Sequence, residues 1–160
     1  MKKILAAFLL SLTATSAFSQ GISLSSGVLD YSDYNKRAGF LEATYTFSEA
    51  KSFNTKIGNF FPITGAMLTE DNAAMVYAGI KADYKIGNFV ISPSFAPGYY
   101  DEGDGKDLGH AVEFKSQINL GWDLGPNSNA GLSYSHISNA SLGDKNPGAN
   151  NIAFTLYRQY

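Results

Sequence analysis

From Val112 to Leu124 the side chains alternate in a way that a strand satisfies and a helix does not. Val112, Phe114, Ile118, Leu120, Trp122 and Leu124 fall on one face, and Glu113, Lys115, Gln117, Asn119 and Asp123 on the other. Successive residues of a strand point to opposite sides, so this segment is apolar on one side and polar or charged on the other. Val76, Ala78, Ile80, Ala82, Tyr84 and Ile86 repeat the pattern against Tyr77, Gly79, Lys81, Asp83 and Lys85. Strand-like stretches recur about eight times, near 22–31, 37–48, 55–67, 74–86, 88–100, 110–124, 129–140 and 150–160, and helical periodicity is convincing nowhere.

The N-terminus narrows where such strands fold. Met1-Lys2-Lys3, the apolar run from Ile4 to Leu10 and the small residues before Gln20 form the pattern of a secretory signal peptide, cut after Ser19. A spanning helix needs roughly 20 apolar residues, and neither this run nor any later segment supplies them, so insertion into a membrane has to use strands. Residues 20–160 are then expected to form one domain. Setting Lys2 and Lys3 aside takes the formal charge from -2 to -4, without a basic run, which argues against nucleic acid as a partner. Cysteine is absent, so an exported domain this small must be held by its core or by a closed hydrogen-bonded barrel; the 16 Gly, 10 Tyr and 11 Phe favour the barrel.

A soluble lipocalin-like barrel would show the same alternation with its apolar face inside. Two features argue against it. Lys85-Ile86-Gly87-Asn88 and Gly125-Pro126-Asn127-Ser128 are tight turns, whereas 101–109 and 141–149 are long and polar, the asymmetry of an outer-membrane barrel. Near the C-terminus, Ile152, Phe154 and Leu156 alternate into a terminal Tyr160, interrupted by Arg158, as in the recognition signal of such barrels. The predicted fold is therefore all-β: an eight-stranded antiparallel transmembrane β-barrel of up-and-down topology, closed so that no strand edge is left in lipid. An even strand count puts both termini in the periplasm of a Gram-negative bacterium. The loops at 32–36, 69–73, 101–109 and 141–149 then lie outside the outer membrane.

Within the seventh stretch, Leu132, Tyr134, His136 and Ser138 share the lipid-facing parity. A serine hydroxyl becomes a nucleophile when a base takes its proton and a third group fixes the base's tautomer. Two positions along a strand separate Cα atoms by roughly 6.6 Å, a gap that leaning side chains can bridge. If the last hairpin folds about Gly143, Asn150 comes opposite His136 with lipid-facing parity. Both residues of the pair sit at the outer end of the barrel, where the lipid is lipopolysaccharide, so a reacting pair there would meet lipid A. A lone His-x-Ser on a strand is more often without function, and a histidine near the membrane surface can belong to the interfacial girdle; spacing alone leaves both open. Ser135 has the wrong parity, Ser141 lies in the loop, and His110 is expected to be solvated.

His136-x-Ser138-Asn139-Ala140 followed by Asn146-Pro147-Gly148 resembles the signature of the lipid A 3-O-deacylase family of outer-membrane barrels. Leu108-Gly109, Glu113-Phe114-Lys115-Ser116, the Gly121 region and Gly131-Leu132-Ser133 are similar to the family's preceding strands, so the likeness covers about 90–156 well and the earlier strands by pattern. It implies an esterase acting on the 3-position acyl chain of lipid A through a Ser–His–Glu triad on the outer wall, without a cofactor or metal. Carried over, His136 is the general base and Ser138 the nucleophile. Asn139 falls at the oxyanion-hole position, where one donor is worth about 2.7–4 kcal/mol. Asn150 stands where the family has its glutamate: it can set the tautomer and brings no charge.

Other polar residues surround this site in the sequence. Asp144 could orient the histidine only if its loop folds back, and Asn151 is expected in the lumen. Glu113 is expected to pair with Lys115 or Lys81. Lys106 and Lys145 are candidate phosphate contacts at the rim, and the acidic stretch 101–107 is a solvated loop rather than a cation site. Lipid A in the outer leaflet is the expected partner, and a homodimer is compatible with this reading. The alternative is a non-catalytic barrel, a decayed family member or a structural or adhesive protein working through its loops.

Overall fold

In a computed structural model, residues 19–48, 51–125 and 127–160 are described. The expected leader lies outside them except for Ser19, at which the first strand begins. Ten strand segments follow in chain order: β1 (Ser19–Leu29), β2 (Ala38–Phe47), β3 (Phe53–Thr55), β4 (Gly58–Thr69), β5 (Ala74–Ala82), β6 (Tyr84–Ile86), β7 (Phe89–Asp101), β8 (Val112–Gly125), β9 (Ser128–Ser138) and β10 (Ala149–Gln159). Eight long strands close into an antiparallel barrel. The sheet runs β2-β1-β10-β9-β8-β7-β5-β4, and the pairing of β4 back to β2 closes the ring. Short β3 folds onto β4 alone, while β6 continues β5 against β7 in the same register beyond Asp83.

Parity decides which side chains line the wall. Leu120, Trp122, Leu132, Phe154 and Leu156 are exposed on the outside, while Glu42, Lys115, Asn119, Ser133 and Thr155 are buried inside. An outward apolar band around a polar interior suits lipid and would be unstable in water. Lumen polarity is organised by ion pairing: the Lys115 ammonium meets the Glu42 carboxylate, which also accepts from Tyr77 Oη at 2.6 Å, and Lys81 pairs with Asp83. The expected partnership of Glu113 with Lys115 or Lys81 is not formed, because both amines face other carboxylates. Glu113 is 0 % exposed, and neither of its oxygens has a hydrogen-bond partner among the described residues.

The two ends of the barrel differ. At one end β6–β7 and β8–β9 turn tightly, and there β1 begins and β10 ends. At the other end, connections 30–37, 102–111 and 139–148 fold over a plug that includes Leu29, Met67, Met75, Tyr100, Leu108 and Ile137. Ion pairs tie these connections together. Lys106 is drawn inward to Asp30, with Asp33 at 3.7 Å, and Lys145 meets Asp107 on the surface.

Candidate active site

His136 and Ser138 leave β9 on its outer face, beside the plugged end, with Ile137 between them buried in the plug. In the β9–β10 hairpin Asn150 is the cross-strand partner of His136, the register expected from folding about Gly143. Opposed side chains on an antiparallel pair are close enough to touch. The Asn150 Oδ1 accepts from His136 Nδ1 at 2.9 Å and from Tyr134 Oη at 2.9 Å. Because an amide oxygen only accepts, Nδ1 carries a proton, and in the neutral imidazole the lone pair is then on Nε2, the tautomer a general base needs. No hydrogen bond joins His136 to Ser138 in this conformation. Such contacts often tighten only when substrate is bound.

Behind Asn150 lies a set of groups that sequence reasoning missed. Asn150 Nδ2 donates to Ser32 Oγ at 3.2 Å, and Ser32 Oγ donates to Asp30 Oδ1 at 2.9 Å. The backbone N–H of Asn150 also reaches Asp30 Oδ1, at 3.2 Å, and its carbonyl accepts from Tyr31 N–H at 2.9 Å. Burial raises the Asp30 pKa, but hydrogen bonds from Lys106, Ser32 and the Asn150 N–H, together with the Lys106 charge, outweigh this and hold it below the usual value. The signal was available in barrel closure: β1 pairs with β10 through Val28↔Ile152, and continuing that register past the strand end sets Asp30 opposite Asn150.

Gly148 also bears on the ring. Its φ of +62° is one that L side chains rarely adopt, and a Cβ there would stand 2.9 Å from His136 Cε1 and 3.3 Å from Nε2. The ring therefore packs over bare backbone.

Three expectations are corrected. Asn139 is 0 % exposed, and its two amide hydrogens meet Leu108 O and Lys145 O, each at 2.8 Å, while Oδ1 accepts from Ser141 N–H at 2.9 Å. Its side chain thus has no donor left for an oxyanion and instead braces two connections; it also pins Ala140 and Ser141, whose φ values of 52° and 65° are left-handed. Lys106 is not offered to a phosphate at the rim, because its ammonium is turned inward onto Asp30. Glu113, as above, lacks its lysine.

The remaining residues divide between the lumen and the connections. Ser135 and Asn151 are buried in the lumen and bonded to each other at 3.1 Å, and Ser141 is exposed in the loop. Lys145 is exposed but paired with Asp107. His110 Nδ1 accepts from Val112 N–H at 2.9 Å in its own turn. Asp144 is exposed and makes no bond to His136. In the acidic loop, Asp101 and Asp104 bond Gly103 N–H and Asn72, and the described residues contain no group of three or more His, Cys, Asp or Glu able to hold a metal ion.

Comparison with known proteins bears on the same region. A segment of 55 residues is 40 % identical to the lipid A deacylase PagL of Bordetella bronchiseptica, covering 34 % of this chain and 31 % of that protein. The match therefore spans about a third of the relative's length. Among solved structures, the outer membrane enzyme PagL superposes with a TM-score of 0.62 at 17 % identity over 86 % of this chain and 98 % of that one. A de novo designed transmembrane β-barrel follows at 0.55 and 8 % identity, covering 89 % and 97 %. Neisserial surface protein A reaches 0.51 at 9 %, with the same coverage, and these structural likenesses speak for the fold. The sequence pattern described as lipid A 3-O-deacylase (PagL) matches residues 31–158, nearly the whole barrel, and the chain belongs to that family of outer-membrane β-barrel proteins.

Proposed function

We propose that this protein is an outer-membrane serine esterase that removes the 3-position ester-linked acyl chain from lipid A in the outer leaflet. Ser138 is the nucleophile, His136 the general base and Asn150 the group that orients the ring. The observation carrying this reading is the 2.9 Å bond from His136 Nδ1 to Asn150 Oδ1 on the outer wall, which in the neutral ring puts the lone pair on Nε2, two residues from a serine. In the proposed reaction Nε2 takes the Ser138 proton as Oγ attacks the ester carbonyl, and then returns it to the departing sugar hydroxyl; water hydrolyses the acyl-serine by the same route. Asn139 holds the connections around the nucleophile, and Lys145 at the rim is the candidate contact for a lipid A phosphate.

Lipid A from outer membranes with and without the protein, compared by mass spectrometry, tests the assignment. One 3-hydroxyacyl chain should be lost with both phosphates retained, and Ser138→Ala and His136→Ala should each abolish the change while the barrel still folds. A mass shift that persists in Ser138→Ala would exclude serine catalysis at this position. The neutral Asn150 and the missing His136–Ser138 bond favour one alternative, a non-catalytic barrel that retains the family fold, and an unaltered lipid A profile would support it.

A further inference from the structure

We propose that Asp30 and Ser32 act as positioning residues: they choose which way the Asn150 amide points and thereby hold His136 in the Nδ1–H tautomer. Its consequence for turnover rests on the esterase reading; its effect on the ring does not.

The two ends of an asparagine amide are nearly equal in shape, so Asn150 has two orientations of similar size and opposite chemistry. With the oxygen toward the ring, Nδ1 must donate and Nε2 is basic. With the nitrogen toward the ring, Nδ1 must accept, the proton moves to Nε2, and no lone pair faces the serine side. The choice has to come from the far side of the amide. Tyr134 Oη, which donates to Oδ1 at 2.9 Å, can accept as easily as donate, so it follows the amide rather than directing it. Ser32 Oγ is equally ambivalent alone. Asp30 removes the ambiguity: an ionised carboxylate only accepts, so the single Ser32 proton is committed to Asp30 Oδ1 at 2.9 Å, and Ser32 can present only lone pairs to Asn150. Nδ2 must then turn to Ser32, as it does at 3.2 Å, leaving Oδ1 for the imidazole.

Every donor in the series His136, Asn150, Ser32, Asp30 points the same way, an arrangement in which each bond polarises the next. Lys106 neutralises Asp30 nearby, so little of its charge reaches the imidazole; orientation, not charge, is what the series supplies. The frame is anchored at both ends. Asp30 Oδ1 also takes the Asn150 backbone N–H, and Asp30 N–H donates to Asn151 Oδ1 at 2.9 Å, so the start of connection 30–37 and the start of β10 keep one spacing.

Nitrogen-15 NMR of histidine-labelled protein in detergent micelles reads the tautomer directly. The chain has two histidines, and a His110→Gln variant assigns the spectrum. Native protein at neutral pH should show His136 as the Nδ1–H form. Ser32→Ala puts water, which donates as readily as it accepts, next to Nδ2 and should give a mixture of both tautomers, whereas Ser32→Thr keeps the hydroxyl and should restore the single form. Asp30→Asn strands the Lys106 ammonium, so the Ser32 variants carry the test. On lipid A, Ser32→Ala should lower kcat about tenfold with little change in KM, and Ser32→Thr should recover it. If the ring stays wholly Nδ1–H in Ser32→Ala, the positioning role is overturned whether or not the protein deacylates. If the tautomer responds but native protein leaves lipid A intact, the positioning role stands and the esterase reading falls.

Discussion

At the scale of single residues, Gly148 is the least forgiving position near the imidazole. A methyl group there meets Cε1 at 2.9 Å and is carried by a backbone at φ +62°, so the ring must move or the turn must open. Gly148→Ala is expected to lower deacylation by an order of magnitude or more while the strands remain intact, measured as turnover beside the barrel's circular dichroism. Asn150→Ala frees the ring to rotate and should reduce the rate as well. Asn150→Glu puts a group that only accepts against Nδ1, with a charge that favours the imidazolium, and should raise the rate; tenfold needs only about 1.4 kcal/mol of barrier. A carboxylate has no orientation for Ser32 to choose. Adding Ser32→Ala to Asn150→Glu should therefore cost little further turnover, and a double-mutant cycle on kcat reads that coupling.

At the scale of elements, the connections over the plug depend on two side chains. Asn139 makes three hydrogen bonds from its side chain, so Asn139→Ala should loosen 102–111 and 139–148 by about 3 kcal/mol, seen as faster amide exchange there than in β9 or β10. Asp30 gives the same region a pH limit. Its carboxyl is held below the ordinary aspartate value of 3.8, so its contribution is present above that value and is lost as pH falls through the lower folded one. Exchange in connection 30–37 should accelerate only on that acid side. Hairpin symmetry and strand parity were legible in the sequence, which is why the His136–Asn150 pairing could be read from the position of Gly143. The inward turn of Lys106 was not, because its partner lies 76 positions away and is brought near only when the ring closes. Asn139 misled for a related reason: a motif preserves the identity of a residue, whereas the destination of its amide hydrogens depends on a loop 31 positions earlier.

At the scale of the whole molecule, two of the lumen carboxylates, Glu42 and Glu113, carry opposite expectations. Glu42 neutralises buried Lys115, so Glu42→Gln leaves an uncompensated ammonium and should destabilise the barrel by about 3–5 kcal/mol. Glu113 compensates nothing, and Glu113→Gln should leave stability unchanged or raise it. Urea midpoints in detergent distinguish the two. Closure has a further consequence for when this protein acquires its chemistry. His136 and Asn150 meet within one hairpin, but Asp30 and Ser32 come from the opposite end of the chain and reach them only across the seam where β1 joins β10. A partly assembled chain in transit through the periplasm carries the histidine and the serine without the groups that discipline the amide. The seam is thus the last step in building the proposed site: until β1 meets β10, the amide that faces His136 has nothing behind it to fix its direction.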